Sequence, residues 1–310
     1  MPRTFQATLP YDVDSAVSGN ARASRTTSCQ VAMGSVFHRR RRYDPRVGVE
    51  AGWLAARRAA DDAAREATVG SLLPRLIADL DRRGADEVRL IDVGAGSGAN
   101  QRWLAPRLPV PQRWVHLDHD PAILMHTHDV GPTDFVVGGI DALAGLLDAD
   151  ATATVITCAA VLDVLTRTDL DALAGLIRTY DVPSLFSLSV TGELVLDPPE
   201  VSDERLLAAF NAHQRRDGRA GPDAPDLLTG WCRIAGVGVV AVETPWLLDA
   251  GADPGFVGRF LTERVAASVE QEPRLADAAT AWTRARSAQL AAGNLRVRVG
   301  HRDLLLLPSN

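Results

Sequence analysis

The sequence contains no lysine: all 33 Lys/Arg positions in its 310 residues are arginine. That absence excludes a Schiff-base lysine, a lysine nucleophile and the Gly-Lys-Ser/Thr phosphate cradle. A guanidinium stays charged in proteins and cannot substitute in those roles. Alanine and arginine are abundant throughout, so the absence reads as compositional bias. Cysteine is scarce as well. Cys29, Cys158 and Cys232 are widely spaced and odd in number, which offers neither a disulfide framework nor a paired metal-ligand spacing and suits a reducing cytoplasm. No apolar run approaches the ~18 residues of a membrane span, and the first residues lack the apolar stretch of a secretory signal. Net charge is −6, so no global attraction to nucleic acid or an anionic membrane is expected. The one basic run, His38-Arg39-Arg40-Arg41-Arg42, reads as a short solvated segment.

What is present is the balance of an ordinary globular chain, 46% hydrophobic and 23% charged, with material for a sizeable core. Residues 1–35 are rich in Ser, Thr, Ala and Gly without apolar periodicity and read as a disordered extension. Met33 stands just ahead of the ordered pattern as an alternative start. Helices are predicted over 51–66 and 69–83, the second with Leu72, Leu73, Leu76, Ile77 and Leu80 on one face. Beyond Gly84, short apolar runs at 88–93, 113–118, 134–137, 152–158 and 184–190 alternate with helical segments near 99–108, 121–128, 141–147 and 169–179. That alternation predicts an α/β fold, a parallel sheet covered on both faces. A helix near 203–215 and a Gly/Pro-rich turn at 217–225 follow, inside a long connection, 191–235, expected to face the substrate. Strands at 236–244 and 295–307 flank helices at 254–272 and 273–292. No fixed-period repeat appears, so 36–310 is expected to be one elaborated domain, with N-terminal helices at 50–84 and a helical insertion at 254–292.

The strongest local signal is Leu90-Ile91-Asp92-Val93-Gly94-Ala95-Gly96-Ser97-Gly98-Ala99-Asn100. An apolar strand runs into three glycines and then a helix, a turn that lets a ligand approach the backbone closely. A second strand, Trp114-Val115-His116-Leu117, ends in Asp118, 26 residues after Asp92. A carboxylate there is placed to accept both hydroxyls of a ribose. Together these point to a nucleoside-containing cofactor. Gly94-x-Gly96-x-x-Ala99 satisfies the dinucleotide fingerprint, and Gly94-x-Gly96-x-Gly98 equally fits the loop of S-adenosylmethionine enzymes. Asp92 favours the second, since an acid suits a cationic aminoacyl end better than a pyrophosphate.

On these residues the sequence resembles the class I S-adenosylmethionine-dependent methyltransferases. LIDVGAGSGAN looks like their first motif and Leu117-Asp118-His119-Asp120-Pro121 like the acidic second. Thr154-Val155-Ile156-Thr157-Cys158-Ala159-Ala160-Val161-Leu162-Asp163 resembles the fourth-strand motif. The resemblance covers about 88–190 well and 236–308 loosely. It implies a Rossmann-like sheet of seven strands with the last antiparallel, and helices on both faces. The helices at 254–292 depart from the short turn usual between strands six and seven, and are expected to form a lid or a subunit interface such as a homodimer would use. The resemblance further implies that Gly94, Ala95, Gly96 and Gly98 cradle the cofactor and that Asp92 orients its ammonium. Asp118 would hold the ribose diol, with His119 beside the adenine and Asp141 reading the adenine amino group. Cys158 and Ala159 would line the pocket, and Arg57 would reach the methionine carboxylate.

Methyl transfer from a sulfonium is an in-line displacement that asks chiefly for alignment and water exclusion. Phe210-Asn211-Ala212-His213-Gln214-Arg215-Arg216-Asp217 is the most suggestive polar constellation. His213 is the candidate base, titrating near neutrality, and Asn211, Gln214 and Arg215 are candidate acceptor contacts. Asp163 is a second catalytic candidate, with an N-cap as its plainer role, although Thr168 suits that better. His301 reads as a turn or strand-edge residue. The cluster of His116, His119, His126 and His128 with Asp118 and Asp120 lacks metal-site spacing, so no metal is expected. The chain is thus expected to be a cytoplasmic enzyme acting on a small-molecule acceptor, without nucleic acid or membrane partners. An NAD(P)-dependent oxidoreductase and a non-catalytic nucleoside-binding or scaffolding protein stand as alternatives.

Overall fold

The computed structural model describes residues 51–125, 131, 133–149 and 153–308. The expected N-terminal extension, Cys29, Met33, the basic run, His126 and His128 lie outside the described residues. Three helices come first: α1 (Ala51–Ala64), α2 (Glu66–Ser71) and α3 (Leu73–Arg82). The helix expected over 69–83 is divided at Leu72, because Pro74 has no N–H to continue the ladder. Strands and helices then alternate: β1 (Val88–Val93), α4 (Ala99–Leu104), β2 (Gln112–Asp118), α5 (Pro121–Leu124), β3 (Thr133–Val137) and α6 (Ile140–Asp148). β4 (Thr154–Ala159), α7 (Arg167–Thr179), β5 (Ser184–Asp197), α8 (Asp203–Gln214) and α9 (Ala224–Ile234) follow. The chain closes with β6 (Val237–Glu243), β7 (Trp246–Asp249), α10 (Pro254–Gln271), α11 (Ala276–Ala291) and β8 (Arg296–Pro308). Sequence reading missed α9, whose Pro225 was assigned to a turn. Proline fits a first helical turn, where no N–H is needed.

The strands lie in the order β3-β2-β1-β4-β5-β8-β6, with β7 also paired to β8. β1 to β5 are mutually parallel, and β8 runs antiparallel to β5, β6 and β7. This is the Rossmann-like sheet with an antiparallel last strand that the resemblance implied. It has eight strands rather than the expected seven. One face buries Leu143, Leu170, Leu173, Ile177, Leu228 and Cys232, from α6, α7 and α9. The other buries Leu72, Leu76, Leu80, Trp103 and Leu104, from the N-terminal helices and α4.

β5 continues well past the expected 184–190. Its pairing with β8 shifts register between Phe186 and Ser189 and again between Val190 and Leu194, and then resumes to Asp197↔Arg296. Leu188 (φ 57°) and Gly192 (φ 78°) absorb the irregularities. β7 pairs with the same end of β8, from Trp246↔Val299 to Asp249↔Arg296. The result is a three-stranded ledge projecting beyond the carboxyl end of β4. A third core seats α8, α10 and α11 on that ledge through Leu206, Phe256, Phe260, Leu261 and Trp282, with Trp246, Leu248 and Val297 beneath. The helices between β7 and β8 therefore roof the carboxyl edge of the sheet.

Candidate functional site

β1 is buried at every position, so its register is fixed by the core and Gly94 falls at its carboxyl end. Gly94, Gly96 and Gly98 adopt φ of 64°, 54° and 76°, the left-handed region open to glycine. Gly94 is also tight: a Cβ there would lie 2.7 Å from the Val161 side chain. At Gly96 a Cβ would make only ordinary contact, with Ile123 at 3.8 Å, so its left-handed φ is what calls for glycine. The Gly96 N–H donates to Asp118 Oδ2 at 2.9 Å, and Asp120 N–H donates to Oδ1 at 3.0 Å. The second acid therefore clamps the glycine turn from the neighbouring strand. His119 lies beside it, exposed, with Nδ1 3.3 Å from Asp118 Oδ1.

Beneath the turn lies a buried polar chain. Asp92 Oδ1 accepts from Asn100 Nδ2 at 2.7 Å, and its Oδ2, equally buried, has no partner. Asn100 Nδ2 also donates to Thr157 Oγ1 at 3.0 Å, and its Oδ1 accepts from Arg65 at 2.6 Å. The Arg65 guanidinium stacks 3.7 Å from the centre of the Trp103 ring. Burial pushes the Asp92 carboxyl up to about 7, against the pull of Asn100 and Arg65. Burial draws Arg65 down to about 10, against Asp303, Asp92 and other acids. Sequence reading missed Arg65 and Asn100, and nominated Arg57. The structure places Arg57 elsewhere, in a two-point pair with Asp61 (2.8 and 3.1 Å) above the Trp246 ring.

A second group collects where β4 ends. Asp163 lies in the short turn Leu162–Val164. Neither it nor Thr168 caps α7, because Thr166 does so, in a capping box with Asp169. The Asp163 carboxyl is pushed up to about 6 by burial, offset by its own backbone N–H and by Arg57, Arg219 and Arg264. His301 joins them, and it is not at an edge. It sits 2% exposed in β8, its ring 4.8 Å from that of Trp246 and its Nδ1 3.1 Å from the Val299 carbonyl oxygen. Burial, with the charges of Arg57 and Arg264, draws it down to about 3, so it is neutral at pH 7.

The structure gives the other nominated residues the following contacts. His213 ends α8 with Nε2 3.4 Å from Glu270 Oε2, near the end of α10. Asn211 donates to the Gly192 carbonyl at 2.9 Å and so holds the β5 irregularity. Gln214 Nε2 sits 3.4 Å from His213 Nδ1, and Arg215 makes a two-point pair with Asp223 (2.9 and 2.6 Å). Asp141 accepts from Gly139 N–H at 3.2 Å at the start of α6. Cys158 is buried in the core, its thiol pushed well above its ordinary range by that burial, with Ala159 half-buried beside it. His116 is buried with neither ring nitrogen bonded, and burial draws it down to about 4.

No protein-family model matches the chain, and no curated protein matches it. Several solved structures are similar to it. One is a cyclopropane-fatty-acyl-phospholipid synthase-like protein from Lactobacillus casei (14% identity, 81% of this chain and 92% of that one, TM-score 0.44). Another is a cyclopropane synthase from Mycobacterium tuberculosis (11%, 76% and 83%, TM-score 0.40). A third is a SAM-dependent methyltransferase from Geobacter sulfurreducens in complex with S-adenosyl-L-homocysteine (18%, 76% and 90%, TM-score 0.37). Superposition at these scores is loose, and the fold rests on the strand order.

Proposed function

We propose that residues 36–310 form one methyltransferase domain that moves a methyl group from S-adenosylmethionine to a small-molecule acceptor and leaves S-adenosylhomocysteine. The observation that carries the reading is the clamp of Asp118 on the Gly96 N–H, at a turn whose three glycines hold left-handed φ. The residues fit such a cofactor in two further respects. Asp92 keeps a buried oxygen without a partner under the turn, and a carboxylate suits an ammonium there. Asp118 uses one bond per oxygen on the backbone, and a carboxylate has about four acceptor sites.

When bound, the cofactor supplies an electrophilic methyl on a sulfonium. The chain's own residues do the rest. Gly94, Ala95, Gly96 and Gly98 present backbone, Asp118 and His119 take the nucleoside side, Asp141 the adenine edge, and Cys158 and Ala159 the pocket wall. Asp163 takes the acceptor side and accepts a proton where the acceptor must lose one. Alignment under the roof of α8 and α10 excludes water. The antiparallel β8 supports this reading over a dinucleotide fold, which does not require such a strand. Among the described residues no helix is long and apolar enough to cross a membrane.

Calorimetry with the full chain tests the reading. S-adenosylhomocysteine is expected to bind with a micromolar or tighter dissociation constant, and NAD(H) and NADP(H) not to bind. The opposite pattern overturns it.

A further inference from the structure

Resting on the methyltransferase reading, we infer that the acceptor carries an oxyanion, a carboxylate or phosphate on an apolar body. Arg264 of α10 is the residue that receives it. Arg264 holds its guanidinium 4.0 Å from the ring centre of Phe210 and 4.6 Å from that of Phe260. Its Nε is sealed from solvent without a partner, while the residue as a whole keeps partial exposure. Among the described residues no carboxylate pairs with it and no group hydrogen-bonds to its guanidinium. An arginine placed in this way retains its whole fork of donors, the geometry that matches an oxyanion at two points.

The surroundings compensate that charge only in part, through Asp163. Arg57, Arg219 and Arg264 all act on Asp163. Arg57 is already paired with Asp61, and Arg219 has no ion pair among the described residues. Burial also weakens the charge of Asp163, which is pushed up to about 6. Burying a cation without a hydrogen-bonded partner costs several kcal/mol, so a fold that keeps one on the wall of a cavity, beside Leu194, Leu196, Phe210 and Trp282, marks a binding position. The aromatic walls, Phe210 and Phe260 with Trp246 nearby on His301, suit an apolar body attached to the anion. The position also fits the reaction. Asp163 lies in the turn just beyond the end of β4, and the Arg264 charge reaches both it and His301.

Two probes, inorganic phosphate and benzoate, are titrated calorimetrically into the full chain with and without saturating S-adenosylhomocysteine. At least one is expected to bind the wild type, and which one binds more tightly identifies phosphate or carboxylate as the acceptor's group. Arg264→Gln is expected to weaken that binding at least tenfold, and Arg264→Lys to restore it only in part. Both variants are expected to bind S-adenosylhomocysteine as the wild type does. Without anion, Arg264→Gln is expected to melt no lower than wild type, because it removes an unpaired charge. Failure of both probes to bind wild type overturns the inference, as does undiminished binding by Arg264→Gln. Should Arg264→Gln not fold, Arg264→Lys decides: wild-type affinity for the probe overturns the inference. Anion binding in a chain that ignores S-adenosylhomocysteine overturns the methyltransferase reading instead and leaves the anion position standing.

Discussion

At the scale of single residues, Asp118 carries the most. It is 6% exposed and accepts from two backbone N–H groups, so it fixes the glycine turn, and on the proposed function it also holds the nucleoside. Hydrogen bonds to a charged group contribute about 1.5–3 kcal/mol each. Asp118→Ala is therefore expected to lower S-adenosylhomocysteine affinity at least a hundredfold while the far-ultraviolet circular dichroism stays unchanged, a pairing that calorimetry and spectroscopy check. Asp118 and the glycines were legible in the sequence because a backbone requirement dictates their type. Arg65 and Arg264 were not, because an arginine on a helix reads as solvated. The signal was nevertheless present. Phe256, Phe260, Arg264 and Ser268 recur every four residues, and Phe256, Phe260 and Ser268 are buried, so a charge stands in an inward stripe. His213 and its neighbours drew attention as a polar run, yet Asn211 and Arg215 bond within the chain.

At the scale of elements, the roof over the carboxyl edge depends on one buried pair. Arg286 of α11, 1% exposed, bonds both oxygens of Asp203 at the start of α8, and Trp282 Nε1 donates to the same carboxylate at 2.6 Å. Arg286 also donates to the Pro198 carbonyl at 2.6 Å, which links α11 to the end of β5. Breaking a buried pair from one side strands the other charge and costs about 3–5 kcal/mol. Asp203→Ala is expected to lose stability of that order in urea denaturation; a change under about 1 kcal/mol would show that the pair does not hold the roof. The helices at 254–292 were legible from periodicity, and their place was not. Sequence spacing gives no angle between elements, and the ledge that seats them forms only when β5, β7 and the start of β8 pair. The length of β5 was hidden for a related reason. Its first half is buried and its second half half-exposed, so one strand shows two patterns.

At the scale of the whole molecule, stability responds to pH through Asp92. Its folded carboxyl sits at about 7 against an ordinary 3.8, so the folded state binds more protons between those values. Stability then falls as pH rises from about 4 to 7 and levels above, by the linkage between proton uptake and folding. Asp163, raised to about 6 for the same reason, adds in the same direction. Asp92→Asn is expected to gain stability relative to wild type from pH 5 to 7 and to run parallel to it above pH 8, as chemical denaturation at each pH reads. Parallel curves throughout would mean that Asp92 is ionised in the fold at every pH. The sequence by itself determined the alternating architecture, the glycine turn and the two acids at strand ends, while the antiparallel last strand was implied by the family resemblance alone. The first three follow from hydrophobic periodicity and from backbone conformations that few residue types adopt. Only the tertiary structure decided which arginines are buried, that Asp92 lies sealed against Asn100, which Arg65 holds in turn, and that α10 seats Arg264 between Phe210 and Phe260. Such meetings join residues far apart in the chain, as Arg65, Asn100 and Ser187 do. The packing angles that create them depend on the shapes of whole elements rather than on any local run of residues.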